Sequence, residues 1–227
     1  MKGNSSPVHS NQSGIHPDLE SIVRKHLRTP FRRPYRASSD TAFSQVAKLV
    51  GKKNAPIIFD CGCGTGESTL AIAHAYPEAL VVGLEKSALR LAKSKHPGPA
   101  NMTLIRADLV DTWRQAAAAG WRLQHHFILH PNPWPKKHHV KRRWHAHPVF
   151  PYLLQLGGTL HLRSNWEIYL KEFACALEIA TGESWPVRSV TACRFETAFD
   201  RKYRLSGQTL FELIADAGSF TSQSIQT

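Results

Sequence analysis

The run Asp60-Cys61-Gly62-Cys63-Gly64-Thr65-Gly66-Glu67 constrains this chain more than any other part of its sequence. It follows a short apolar segment, Pro56-Ile57-Ile58-Phe59, and leads into residues 67–76, which read as a helix. An acid and three alternating glycines between a strand and a helix make a tight turn that a ligand can approach closely, with backbone amides pointing outwards. The spacing is not the dinucleotide fingerprint G-x-G-x-x-G, which would require glycine where Glu67 stands.

Strand and helix alternate from there. Residues 79–85, 102–106, 125–130 and 158–162 read as further strands, with helices over 86–95 and 166–180. Residues 187–195 and 209–215 read as a closing pair of strands with no helix between them. Such a pattern predicts an α/β fold, a mostly parallel seven-stranded sheet with helices on both faces and an antiparallel C-terminal edge. Ahead of it, residues 1–15 are too polar to order themselves, a short helix follows from Pro17 to before Pro30, and a second runs from Asp40 to Gly51. We therefore expect a flexible basic N-terminal arm over 1–36 and one domain over 37–227.

Each of the first three strands has an acid near its end: Asp60, then Glu85, then Asp108. Glycine follows only the first. This arrangement resembles the way class I (Rossmann-like) methyltransferases hold S-adenosylmethionine. It implies that Asp60, Gly62 and Gly64 form the cofactor loop, that Glu85 accepts from ribose hydroxyls, and that Asp108 flanks the adenine.

The 227 residues carry 29 Lys and Arg against 17 Asp and Glu, a net charge of +12. No acid lies between Thr112 and Trp166, or between Ser21 and Ser39, while both stretches are rich in Lys and Arg. Long acid-free basic runs interleaved with aromatics and histidines point to nucleic acid rather than a membrane surface. No apolar stretch approaches the roughly 18 residues of a membrane span, and the polar N-terminus lacks a secretory core, so we expect a cytoplasmic monomer. The four cysteines lack the C-x-x-C spacing of a zinc site, and His138, His139, His145 and His147 accompany no carboxylate or thiol cluster, so we expect no metal.

The segment after the fourth strand reads His130-Pro131-Asn132-Pro133-Trp134-Pro135-Lys136-Lys137-His138-His139-Val140-Lys141-Arg142-Arg143. In a doubly wound sheet such a segment faces the ligand beyond the strand ends. Its prolines stiffen it, Trp134 offers a stacking face, and bases follow at once. With Gly157-Gly158, Asn165-Trp166-Glu167, Phe195-Glu196 and Gly207-Gln208, the segment resembles the tRNA (guanine-N7)-methyltransferase family from about Asp60 to Ala215. The resemblance implies methyl transfer from S-adenosylmethionine to a guanine N7 in the variable loop of tRNA. It places Asn132 beside cofactor and base as the catalytic position. Lys136, Asn165 and the segment Cys193-Arg194-Phe195-Glu196 would contact substrate, and Lys137, Lys141, Arg142 and Arg143 would hold RNA phosphates, helped by the arm from Arg24 to Arg36.

Four positions depart from the family pattern: Asn replaces Asp at 132 and 165, Cys replaces Thr at 193, and Asp60 stands for the commoner Glu. Guanine N7 carries an in-plane lone pair and no proton, so its methylation requires alignment but no general base. Losing a carboxylate is then compatible with activity, although a neutral amide accepts through one oxygen and presents NH2 as a donor. Asn132-Pro133-Trp134 also partly resembles the [DN]-P-P-[YFW] loop of enzymes that methylate exocyclic amines. Methylation of another RNA base or of an exocyclic amine is one alternative. A catalytically weak tRNA-binding homologue is the other.

Overall fold

The computed structural model describes residues 3–95 and 97–218. Strands β1 (Ile57–Cys61), β2 (Leu80–Glu85), β3 (Met102–Arg106), β4 (Leu123–Leu129) and β5 (Thr159–Ser164) pair in parallel in the order β3-β2-β1-β4-β5. Two more strands, β6 (Val187–Val190) and β7 (Leu210–Asp216), extend the sheet, β7 running antiparallel to β5 and β6 antiparallel to β7 at the edge. Every residue of β1 and β2 is buried, which is why both segments read as continuous apolar runs rather than as alternation. The chain moves outward from β1 to β3 and then returns to β4 on the other side of β1, opening a crevice beyond the strand ends at the point of reversal. Between β4 and β5, Gly158 adopts φ +73°, and a Cβ there would collide with the Leu123 carbonyl.

Helices α1 (Leu19–Arg28), α2 (Ala37–Lys53), α3 (Glu67–Ala75), α4 (Ala88–Leu91), α5 (Leu109–Ala118), α6 (Phe150–Gln155) and α7 (Glu167–Thr181) flank the sheet. α1 buries Leu19, Ile22, Val23 and Leu27, a single stripe at helical spacing, against α6 and α7. At about 1.5–3 kcal/mol for each such side chain, this stripe fixes the helix on the domain. α4 is only one turn long where residues 86–95 suggested a longer helix. It buries none of its residues, so no packing extends it.

Two expectations change. Between β6 and β7 lies a helix, α8 (Ala198–Leu205), started by a capping box in which the Thr197 hydroxyl accepts the Asp200 N–H and the Asp200 carboxylate accepts the Thr197 N–H. The polar N-terminal segment, apart from Met1 and Lys2, which lie outside the described residues, is laid along the domain. Gly3 donates to the Leu205 carbonyl, Ser10 to the Pro135 carbonyl, and Gln12 to buried Glu172. Hydrogen bonding by side chains such as Gln12 supplements the little apolar packing that the segment makes through Val8.

Candidate functional site

A cleft of about 320 Å³ opens at the switch point, lined by Cys61 and Gly62 at the end of β1, Leu84 to Lys86 at the end of β2, Asp108 to Val110 after β3, and Leu129 to Asn132 at the end of β4. Gly62 and Gly64 take φ +79° and +61°, which lets the loop curl so that the Gly62 N–H reaches the Leu84 carbonyl at 2.7 Å. The Gly64 N–H donates to Glu85 Oε2 at 3.2 Å, and the Ser87 N–H to Glu85 Oε1 at 2.7 Å, so the acid is oriented by backbone on both sides. Asp108 caps α5 by accepting the Val110 N–H. Its other oxygen faces Lys86 at 3.2 Å and Arg36 at 3.4 Å.

Asp60 does not line this cleft. Its carboxylate is buried and accepts the Ser68 and Thr69 hydroxyls at 2.7 and 2.6 Å, tying the start of α3 to the end of β1. Burial raises its pKa above the usual carboxylate range, against the two hydroxyls that lower it. It supports the loop from behind.

The arm also serves the cleft. Arg33 and Arg36 are among its lining residues. Arg33 donates to buried Asp111 at 2.6 Å, and Asp111 also accepts the Arg36 N–H and the Ser39 hydroxyl. Burial pushes the Asp111 carboxyl up, but these donors outweigh it and hold it below its ordinary range. Arg33 is thereby committed to an internal carboxylate. Arg36 faces Asp108, and the sequence pattern, which placed both arginines on RNA, gave no sign of these pairings.

The opposite wall is the loop His130 to Trp134. His130 and Trp134 have φ of +52° and +46°, a left-handed conformation that non-glycine residues adopt only when their surroundings impose it. Between them Asn132 is exposed on the cleft wall, its Oδ1 accepting the Trp134 N–H at 3.2 Å. That bond fixes the orientation of the amide, because an N–H donor requires oxygen opposite it. The Nδ2 group is left as the donor on the outer side.

Two buried acids, neither of them among the expected site residues, hold the ends of this loop. At one end, His130 Nε2 meets Asp200 Oδ1 at 2.7 Å, and the same carboxylate takes Arg163 at 2.9 Å and the Thr197 N–H and hydroxyl. At the other end, the Arg143 guanidinium donates to the Trp134 carbonyl through Nε and Nη2, pairs with Glu172, and lies 4.8 Å from the centre of the Trp166 ring. Glu172 also accepts from Gln12 and the His16 N–H and meets His145 at 3.0 Å. Burial pushes the Glu172 carboxyl up, but His145 and Arg143 outweigh it and bring it down to about 2.

Arg143 is therefore not available to a phosphate: it is fully buried and its donors are used within the protein. Lys136, Lys137, Lys141 and Arg142 are exposed, with Arg142 resting over the Trp134 ring at 4.7 Å. Asn165 does not line the cleft and donates to Gln208 Oε1 at 2.7 Å. Of the segment expected to meet substrate, Phe195 packs into the core beside Phe127 with its ring centre 5.4 Å away, and its carbonyl accepts from Arg163. Apolar burial withdraws its side chain from the surface. Glu196 pairs with Arg201 and Arg204, Cys193 Sγ lies 3.6 Å from Asp200, and Arg194 is exposed over Tyr76 and Phe195. Among the described residues, no group of three His, Cys, Asp or Glu side chains is placed to hold a metal, and no helix is long and apolar enough to cross a membrane.

Residues 54–213 match the family described as "Putative methyltransferase". Similar proteins include a tRNA (guanine-N(7)-)-methyltransferase of Mycolicibacterium gilvum, 35% identical over 54% of this chain and 51% of its own length. Those of Leifsonia xyli and Thermus thermophilus are 28% and 32% identical over 71% and 74% of this chain, and over 76% and 55% of their own lengths. The chain thus spans between about half and three quarters of the length of these relatives. Among solved structures, an antibiotic-related methyltransferase matches with a TM-score of 0.55 at 13% identity, over 81% of this chain and 96% of that one. A variant of the 16S rRNA (adenine(1408)-N(1))-methyltransferase from Catenulisporales acidiphilia, with S-adenosylmethionine as cosubstrate, matches with 0.52 at 18% identity, over 77% and 90%. At these identities the likeness is one of fold.

Proposed function

Because the chain belongs to the methyltransferase family whose model it matches over residues 54–213 and has the class I methyltransferase fold, we propose that it methylates tRNA at guanine N7 in the variable loop, with S-adenosylmethionine as donor. The observation that carries this reading is the pairing, across one cleft, of a two-acid wall with an amide donor. Glu85 and Asp108 stand on one side and Asn132 Nδ2 on the other.

The first wall fits the cofactor chemically. Glu85, held by two backbone amides, can accept from ribose hydroxyls, and Asp108 lies one strand further along, where an adenine amine would be met. S-adenosylmethionine supplies an electrophilic methyl group when bound. Cofactor binding there competes with the pairs that Arg36 and Lys86 make with Asp108 and Arg90 with Glu85.

The second wall fits the acceptor. The Hoogsteen edge of guanine presents two acceptors, N7 and O6. With Asn132 Oδ1 engaged by Trp134, the outward Nδ2 donates to O6 and leaves N7 open for an in-line displacement. No proton has to leave N7, so no general base is required. An exocyclic amine would place a donor against that donor, which disfavours the amine alternative. Phosphates of the tRNA would be held by Lys136, Lys137, Lys141 and Arg142, all exposed beside the loop.

Incubation with total tRNA and labelled S-adenosylmethionine, followed by nucleoside analysis, tests the proposal. It predicts 7-methylguanosine as the product. Label in a different nucleoside would overturn the choice of atom, and tight, salt-sensitive binding without any transfer would favour a tRNA-binding homologue.

A further inference from the structure

α8 turns its acid inwards and the Phe199 ring outwards, the reverse of an ordinary amphipathic helix. Asp200 is fully buried, while Phe199 is 42% exposed. The inversion follows from Asp200, whose carboxylate is held by Thr197, Arg163 and His130, so that the helix is docked through a charge. The Phe199 ring stacks on that of Tyr203, centres 5.9 Å apart and planes at 28°. Tyr203 in turn meets the His130 ring at 5.2 Å, and His130 lines the cleft. Three rings therefore run from the buried side chain of His130, at the base of the cleft loop, out to the surface. Cations surround the outermost: Arg201 and Arg204 are exposed although paired with Glu67 and Glu196, and Lys202 is exposed with no ion pair to a described residue.

An open aromatic face beside an exposed cation, packed through Tyr203 onto the loop that walls the cleft, is suited to an unstacked nucleotide, since every base offers a face for stacking and every nucleotide a phosphate. We propose that α8 is an RNA-docking element, in which Phe199, backed by Tyr203, stacks on a nucleotide flanking the acceptor base while Lys202 neutralises its phosphate. This rests on the reading of the substrate as RNA. By holding α8 to His130, Asp200 keeps the stacked nucleotide in fixed register with the Asn132 loop.

The test compares the full-length protein with Phe199→Ala, Phe199→Trp and Lys202→Gln. It measures affinity for tRNA by anisotropy, affinity for S-adenosylmethionine by calorimetry, and oligomeric state by light scattering. Phe199→Ala should weaken tRNA binding about tenfold, as loss of one stacked base does. Phe199→Trp should preserve binding, and Lys202→Gln should weaken it and flatten its salt dependence. Cofactor affinity should stay within about twofold in all three, because the substituted positions are exposed and away from the acid wall. Wild-type tRNA affinity in Phe199→Ala would overturn the proposal, and so would a change of oligomeric state with tRNA affinity intact, which would make this face a contact between copies of the chain. If the wild-type protein neither binds nor methylates tRNA, the functional reading fails as well. If it methylates tRNA and Phe199→Ala does so equally, only the role of α8 fails.

Discussion

His130 Nε2 stands 2.7 Å from Asp200 Oδ1, and both side chains are closed off from solvent. The contact joins the loop that carries Asn132 to a helix 70 positions away, and Arg163 lies against the same carboxylate. Asp200→Ala would leave the Arg163 guanidinium buried without its charge partner. We expect a loss of about 3–5 kcal/mol in urea unfolding at neutral pH. A variant within 1 kcal/mol of wild type, by the usual scale for surface changes, would mean that the network is not maintained in solution.

Three histidines make the fold acid-sensitive. Burial pushes His126 down to about 3, and burial assisted by neighbouring cations and histidines brings His147 and His161 to about 4, against an unperturbed 6.5. Their contribution is complete above pH 6.5 and falls as the pH drops towards 4, because the unfolded chain takes up protons that the folded chain excludes. The urea midpoint should decline between pH 7 and pH 4.5. His161→Phe, which keeps a ring to stack on Phe127, should flatten that decline, and an unchanged slope would refute the assignment.

Neighbouring cations of the acceptor loop should behave in opposite ways. Lys141→Ala and Lys137→Ala should leave thermal unfolding unaltered while weakening tRNA binding and lowering the salt slope by about one each. Arg143→Ala should destabilise the fold by about 3–5 kcal/mol, since it strands Glu172 in the interior. Equal effects of all three on stability would contradict this division.

The amide orientation at Asn132 gives a two-sided test. Asn132→Ala should lower kcat/KM for tRNA about tenfold or more, as expected for a hydrogen bond lost in a desolvated site. Asn132→Asp retains an oxygen for the Trp134 N–H but removes the outward donor, and should fall with it. A gain in activity for Asn132→Asp would show instead that the amide impairs an ancestral carboxylate site.

Gln12 links the N-terminal segment to the acceptor loop through Glu172 and Arg143. Gln12→Ala should raise KM for tRNA and lower stability by about 1 kcal/mol, the net worth of an ordinary hydrogen bond. Wild-type KM in this variant would leave the segment without a part in substrate binding.

The mostly parallel sheet, its antiparallel edge and the acids of the cleft wall could be read from the sequence because they depend on local pattern: apolar runs for β1 and β2, glycines after β1, acids at the strand ends. α8 left a legible sign in Thr197-x-x-Asp200, a capping box with aspartate in the third position, which the expectation of a hairpin passed over. The interior role of Arg143 left none. Its partner Glu172 lies 29 positions away on α7, and a run of bases reads as uniformly exposed until the fold places an acid behind one of them. The surroundings of Asp60 were hidden for a related reason: motif spacing locates a carboxylate along the chain but not the two hydroxyls, Ser68 and Thr69, that engage it.

The left-handed residues at both ends of the Asn132 loop set opposing demands on any directed evolution of this chain. Glycine at Trp134 would relieve backbone strain of about 1 kcal/mol, so a screen for heat resistance would be drawn there. Glycine at His130 would also remove the buried ring that meets Asp200 and cost more than it relieves. The variants recovered would have exchanged a loop with one shape for a loop with many, and a search for new base preference would do better to hold both anchors and vary only what lies between them.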